Sequence, residues 1–291
     1  MQLENIFRDA KKKRRPLLLD GAMGSLLESR KFAKKDLLWS TRANIISSPE
    51  VLKIHKAYIK AGADIITTNT FRTNPSTLEK SGISKKENYI RTAVDLAKEA
   101  SENRNVLIAG SNPPAEDCYQ RNRTLSKKKL ELNHHYHITN LWNCGVHFIL
   151  NETQSHLDEI EIIAKYCSVN QIPFVVSLYV LPDLTLLSGE NFFKALEVLN
   201  DYSPLAISYN CIDSKTFSLV YPIICKSTLW GAYLIVFDSK KKNNSRITPS
   251  AIEYSEITKR YLPKNPCLVG SCCGSSPLFT KYLRKMIDAN T

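Results

Sequence analysis

The sequence contains no long hydrophobic run. Its apolar stretches, such as Leu17–Leu19 and Ile65–Ile66 with their neighbours, fall far short of the roughly 20 residues a helix needs to cross a bilayer. Met1–Lys13 lacks an apolar core and carries Glu4 and Asp9, which excludes a secretory signal. These two absences make the cytoplasm the expected compartment. No low-complexity linker and no repeat in residue identity divides the 291 residues, so a single domain over 1–291 is expected. The paired CxxC spacing of a structural zinc module is also missing, although the chain has eight cysteines. In a reducing compartment such thiols point to free or metal-bound sulfur over a disulfide framework.

Acidic residues are the minority, 28 against 40 Lys and Arg, leaving a net charge of +12. Much of the excess comes from Lys11–Arg15, Lys127–Lys129 and Lys240–Lys242. Such charge attracts nucleic acid or anionic surfaces. No helix-turn-helix, zinc-finger or aromatic RNA-binding signature accompanies it, so the runs read as solvated loops and helix faces, with neither nucleic acid nor membrane as partner. A hydrophobic content of 43% against 23% charged excludes a disordered chain.

What is present is a rhythm of short apolar stretch, polar turn and longer helical period. The strand-like stretches are Leu17–Asp20, Asp64–Thr68, Val106–Gly110, Val146–Leu150, Phe174–Tyr179, Leu205–Tyr209, Gly231–Phe237 and Cys267–Gly270. Several are near-continuous Val, Ile and Leu runs, as parallel strands covered on both faces require. Ser48-Pro49-Glu50 gives a cap, a proline and an acid in the first turn. Val51, Ile54 and Tyr58 then share a face, and Gly62 is placed to end that helix. Tyr89–Ala100 repeats the pattern with Ile90, Ala93, Val94 and Ala97, and Leu157, Ile160, Ile163 and Cys167 mark another helix. Ser276-Pro277 opens a last one, with Leu278, Tyr282 and Met286 expected inward. Eight strands alternating with helices make a single α/β (β/α)8 TIM barrel the economical reading, with an open doubly wound sheet as the alternative.

Chemically able residues cluster where these strands end. Asp20 follows the first, Asn69 the second, Glu152 the fourth, Cys211 the sixth and Cys272-Cys273 the eighth. In a barrel those ends converge on one rim. Three thiols from two strand ends suit a tetrahedral zinc site with one open position. Successive strand residues face opposite ways, so an adjacent pair needs a sharp bend, which Gly270 and Gly274 would allow. Small buried hydrophobes or a redox pair are the competing readings of Cys272 and Cys273. Cys144, Cys167, Cys225 and Cys267 sit in helical or strand contexts and read as structural; Cys118 lies in a polar loop that could approach the mouth. His134, His135 and His137 fall on the helix before the fourth strand, away from the rim, and read as surface or packing residues.

Taken together, five segments resemble the homocysteine S-methyltransferase family, in its order and over nearly the whole chain. They are Leu19-Asp20-Gly21-Ala22-Met23-Gly24-Ser25, Ala61-Gly62-Ala63-Asp64 running into Thr67-Thr68-Asn69-Thr70-Phe71, Asn151-Glu152-Thr153, Asn210-Cys211, and Gly270-Ser271-Cys272-Cys273-Gly274 with Pro277. The resemblance implies a barrel enzyme in which Cys211, Cys272 and Cys273 hold Zn2+ as thiolates and homocysteine sulfur takes the fourth position. It implies Asp20 and Glu152 for the homocysteine ammonium, and backbone amides of the loop from Gly21 to Ser25 for its carboxylate. Asn69 is a further substrate-binding candidate, with closure of a turn as its plainer role. With no appended cobalamin or folate domain, the expected donor is S-methylmethionine or S-adenosylmethionine, ahead of betaine, and the product methionine.

Three departures from the family pattern bear on activity. Ser271 replaces a glycine, which would cost energy if that position needed positive φ. Val236-Phe237-Asp238-Ser239-Lys240 replaces a Tyr-Pro-Asn turn, and Ser111-Asn112-Pro113-Pro114 replaces Gly-Pro-Tyr-Gly. The alternative function is therefore a catalytically silent barrel that keeps the metal or the scaffold as a binding module.

Overall fold

The computed structural model describes residues 3–33, 36–83, 86–224, 229–236 and 248–291. Eight parallel strands run through it: β1 (Leu17–Leu18), β2 (Ile65–Thr67), β3 (Leu107–Asn112), β4 (Phe148–Gln154), β5 (Phe174–Leu178), β6 (Ala206–Asn210), β7 (Trp230–Leu234) and β8 (Leu268–Ser271). From β2 to β8 each strand pairs with its sequence neighbours, and β1 pairs with β8. A Leu19–Ile65 bridge joins β1 to β2 and closes the sheet into the expected (β/α)8 barrel. The open doubly wound alternative is thereby excluded. Residues 237–247, which include most of the segment from Val236 to Lys240 and the Lys240–Lys242 run, lie outside the described residues, as does Cys225.

The β1–β2 seam is short and needs help. Asp64 supplies it by accepting the Leu18 amide at 2.8 Å and the Arg284 guanidinium at 2.5 Å. One carboxylate thus ties the seam to the last helix, Pro277–Asp288. That helix is turned by one position from expectation. Phe279, Leu283, Met286 and Ile287 are its buried face, whereas Leu278 points outward at 53% exposure. Ser276 stands at the cap position as anticipated, without a side-chain cap hydrogen bond. The helix Ser48–Lys60 buries Val51, Ile54 and Tyr58 and passes into Gly62 at φ +102°. Its cap position falls on Ser47, one residue before the expected Ser48.

One helix was not anticipated. Leu3–Lys12 lies across the N-terminal end of the barrel and buries Phe7 and Ala10. Phe7 meets Phe148 edge-on at 5.6 Å and joins Leu19, Ile65, Ala109, Leu150 and Val175 in the cluster that fills the barrel interior. A filled interior makes the barrel a packed core and not a pore, and the sites of such barrels are built on the opposite, C-terminal rim. The basic residues Lys12–Arg15 and Lys127–Lys129 are exposed, as solvated charge should be. Among the described residues no helix is long and apolar enough to cross a membrane.

Candidate active site

Asp20, Gly21, Asn69, Glu152, Cys211, Cys272 and Cys273 all line one cavity of about 290 Å³ at the C-terminal rim. They come from five strand ends and reach one another only because the barrel closes.

The three sulfurs are positioned by backbone held in uncommon conformations. Cys211 is the first residue past β6 and adopts φ +56°; Thr153 in β4 adopts φ +57°, where the β4–β5 register shifts. Left-handed backbone is a real cost for a β-branched residue, of order 1–3 kcal/mol. Asn210 offsets it by bracing both residues. Its Oδ1 accepts the Thr153 amide at 2.9 Å, and its Nδ2 donates to Thr153 Oγ1 at 2.9 Å and lies 3.6 Å from Cys211 Sγ. The Glu-Thr and Asn-Cys segments are therefore one mechanical unit. Cys272 donates its amide to Leu234 at the end of β7, and the Cys273 carbonyl accepts from Val236. Gly274, at φ +85°, then turns the chain, and its amide donates to Ser25 Oγ at 3.0 Å.

Cys211 Sγ lies 2.8 Å from Cys272 Sγ, Cys272 Sγ lies 4.0 Å from Cys273 Sγ, and all three fall within 4.8 Å of one another. Around a tetrahedral ion with bonds of about 2.3 Å, thiolate sulfurs sit about 3.8 Å apart. The observed spacings bracket that value, so the donor set fits a soft metal such as zinc. Hydrogen bonding with the Cys272 and Cys273 sulfurs, then burial, pushes the Cys211 thiol well above its usual range. A cation among the sulfurs reverses that preference.

Two expectations about the cysteine loop need correcting. Ser271 is the last residue of β8 and has no positive φ, so the serine is not strained. Gly270 does not make the bend either. A Cβ there would meet Leu19 Cβ at 2.9 Å, so it is glycine because β8 packs closely on β1. The bend rests on Gly274 alone.

Two carboxylates flank the sulfurs, Asp20 buried and Glu152 partly buried. Asp20 accepts the Thr67 amide at 2.9 Å and the Thr67 hydroxyl at 2.8 Å. Burial, with a smaller contribution from Glu152, raises its pKa to about 8. Glu152 accepts Ser111 Oγ at 2.5 Å and the Tyr233 hydroxyl at 3.4 Å. Burial raises it to about 7, and the nearby Cys273 sulfur adds to the shift. Among the described residues neither carboxylate has an ion-pair partner, although Arg72 lines the same cavity, and two such acids form a receptor for a cation.

Asn69 lines the cavity, but its side chain is engaged elsewhere. It accepts Ser40 Oγ and donates to the Ser40 carbonyl and Asn44 Oδ1, all between 2.9 and 3.1 Å. It thereby anchors the segment carrying Trp39, whose ring covers Gly24 so closely that a Cβ there would fall 2.2 Å from it. Gly21 is similarly confined, with Ser275 Oγ at 2.5 Å from a would-be Cβ. Ser275 also takes the Ala22 amide at 2.9 Å.

Several cavity residues had no sequence signal of their own. Thr67, Ser111 and Tyr233 are ordinary strand residues whose inward phase only the barrel reveals. Cys118 and Tyr119 come from the loop after β3, and Cys118 is buried against the cavity. The histidine cluster divides. His135 stacks on Tyr166 at 3.9 Å, whereas His134 and His137, three apart on one helix face, are fully buried. His134 bonds Glu159 at 2.7 Å, and His137 bonds Asn112 at 2.8 Å and Thr73 at 2.7 Å. They are packing residues of the barrel wall.

A closed (β/α)8 barrel with a three-cysteine cluster and paired acids at its C-terminal rim is the architecture of an enzyme that handles a small polar substrate. The family model for homocysteine S-methyltransferase matches residues 17–287, and the chain belongs to that family. It is 24% identical over 303 residues to the homocysteine S-methyltransferase of Escherichia coli, covering 95% of this chain and 97% of that one. It is 37% identical over 306 residues to homocysteine S-methyltransferase 3 of Zea mays, covering 94% and 90%. The fold matches the metallated form of the homocysteine methyltransferase MmuM from Escherichia coli with a TM-score of 0.81 at 21% identity, covering 96% of this chain and all of that one.

Proposed function

We propose that this chain transfers a methyl group from a small sulfonium donor, S-methylmethionine or S-adenosylmethionine, to the thiol of homocysteine, using Zn2+ held by Cys211, Cys272 and Cys273. The observation that carries the reading is the convergence of those three sulfurs within 4.8 Å, in the same cavity as the carboxylates of Asp20 and Glu152. Bound zinc keeps the substrate thiol ionised near pH 7, where a free thiol is only a few per cent thiolate.

The chain's own residues do the rest. Asp20 and Glu152 bind the homocysteine ammonium, which replaces the protons that burial otherwise retains on them. Amides of the loop from Gly21 to Ser25 bind its carboxylate. Trp39 and Tyr119 line the same cavity, supplying aromatic surface for a sulfonium and excluding water. The thiolate sulfur then attacks the donor methyl carbon in line. A new S–CH3 bond forms, the donor S–CH3 bond breaks, and its electron pair stays on the donor sulfur as a neutral thioether. No general base is required at the methyl group.

Zinc per chain, measured on protein purified under reducing conditions, tests the centre. The expected result is about one zinc, lost in Cys272→Ala, together with methionine formation from homocysteine and S-methylmethionine. Wild-type protein without zinc after metal is supplied overturns the mechanism. Zinc without turnover over a donor panel points instead to the silent binding barrel.

A further inference from the structure

Among the described residues a single cationic side chain, that of Arg72, lines the rim cavity. Arg72 also lines a second cavity, of about 400 Å³, and so does Trp39. The two cavities therefore meet at this pair of residues. The chemistry proposed above uses neither Arg72 nor the second cavity.

Arg72 stands on a turn that is fixed on both sides. β2 ends at Thr67, and the residues after it are pinned in succession. Asn69 is held by Ser40 and Asn44, and Thr70 donates to the Ser111 carbonyl at 2.7 Å. Beyond Arg72, Thr73 bonds His137 at 2.7 Å and Asn74 donates to the Ala115 carbonyl at 3.0 Å. The guanidinium itself is loosely engaged. It lies 5.6 Å over the Phe71 ring, and its ion pair among the described residues is with Asp117, in the loop 113–125 after β3, at 3.9 Å. The Asp117 side chain is 55% exposed, so water screens that pair and it contributes little. Other charges on the second cavity are held more closely. Lys80 lies 3.6 Å from Glu116, and Asp36 holds Arg42 at 3.0 Å and accepts the amides of Leu38 and Trp39. A guanidinium on a fixed turn with a weak partner is preorganised to take a carboxylate through two parallel N–H bonds.

The two substrates of the proposed reaction bring two carboxylates. That of homocysteine goes to the amides of the loop from Gly21 to Ser25, beside Asp20; the other belongs to the donor, because both sulfonium donors carry an α-amino-acid group. We propose that Arg72 is the specificity-determining residue for the donor, pairing its α-carboxylate where the two cavities meet and displacing Asp117. This rests on the methyl-transfer reading above. The bound carboxylate fixes one end of the donor, Trp39 lies alongside, and the sulfonium is left in the rim cavity that holds the three sulfurs.

Calorimetric titration of zinc-loaded protein with S-methylmethionine, in the absence of homocysteine, reads this contact without turnover. Arg72→Ala should weaken binding about 10- to 100-fold, the value of a charge-assisted hydrogen bond. Arg72→Lys, which keeps the charge but loses the fork, should recover only part of that. The decarboxylated analogue of S-methylmethionine should bind wild type and variants alike, and homocysteine titrated alone should show one affinity for all three proteins, which also reports that the variants are folded. In turnover, both substitutions should raise the KM of S-methylmethionine while kcat and the homocysteine KM stay the same. Loss of homocysteine affinity in variants with the wild-type unfolding midpoint would assign Arg72 to the acceptor and overturn the proposal. So would S-methylmethionine binding that is absent from the wild type or indifferent to both substitutions. Binding that depends on Arg72 with no methionine formed leaves this contact standing and overturns the methyl-transfer reading instead.

Discussion

Asp20 and Glu152 show how burial and ligand chemistry combine at single residues. Desolvation raises Asp20 to about 8 and Glu152 to about 7, so both are largely protonated at pH 6. An ammonium binds the ionised forms. Affinity for an amino-acid ligand should therefore rise as pH climbs from 6 to 8.5. Methionine, the product, has an ammonium but no ionisable thiol, and calorimetric titration with it isolates this effect. In Asp20→Asn, methionine binding should weaken about 10- to 100-fold, the value of one charge-assisted hydrogen bond, and the pH slope should shrink. A slope unchanged by that substitution would remove Asp20 from the ammonium site. Thr153 and Cys211 make a second point at this scale. Their left-handed backbones are uncommon, and the Asn210 amide that braces them is fully buried.

Elements matter where loops must be rigid. The loop 113–125 is pinned by Glu159, a buried carboxylate on the helix Leu157–Val169. Burial opposes its charge, but the His134 hydrogen bond, the Ala115 amide and Arg123 outweigh that and hold its pKa below the usual range. Removing one member of such a buried charged group costs about 3–5 kcal/mol, since the remaining charges lose their partner. Glu159→Gln should lower denaturant stability by that order and raise the homocysteine KM through a loosened loop, although Glu159 does not line the cavity. Unchanged stability would show that the group contributes nothing net. The polar wall of Asn112, Asn151, His134 and His137 belongs to the same assembly and explains why two histidines are buried beside β3 and β4.

For the molecule as a whole, the N-terminal helix is a plug. Phe7 is fully buried against Phe148 at the base of the barrel interior. Phe7→Ala should cost about 3–5 kcal/mol in denaturant unfolding, while zinc content stays the same, because the centre lies at the opposite end. Loss of metal in that variant would mean the two ends are coupled. His55 acts on global stability through pH. It is fully buried, neither ring nitrogen has a hydrogen-bond partner among the described residues, and burial lowers its pKa to about 4. The unfolded chain then binds the proton more readily, so stability is complete above about pH 6.5 and is lost as pH falls toward 4. His137, lowered by burial to about 3, adds a slope of the same sign. His55→Leu should raise the unfolding midpoint at neutral pH and flatten its decline in acid; an equally steep decline would exclude His55 as a source.

The sequence by itself determined the strand count, their order and which ends carry chemistry. Those properties follow from local apolar runs and from helix punctuation such as Pro49 and Gly62, all readable without distant contacts. It also held the five family segments, because Asp20, Glu152, Cys211, Cys272 and Cys273 sit at strand ends wherever the chain goes in space. Tertiary structure decided what needs two distant segments at once. Leu278 faces outward because helix phase is set by docking on the sheet, not by the cap. Ser271 is unstrained, and Gly270 is required for contact with Leu19, because close approach between β8 and β1 exists only in the closed barrel. Asn69 turned into a brace, Thr67 and Tyr233 into partners of the acids, and Cys118 into a fourth cysteine of the cavity wall for the same reason. Residue type and period are local and survive in the sequence, whereas proximity across the rim is created by barrel closure.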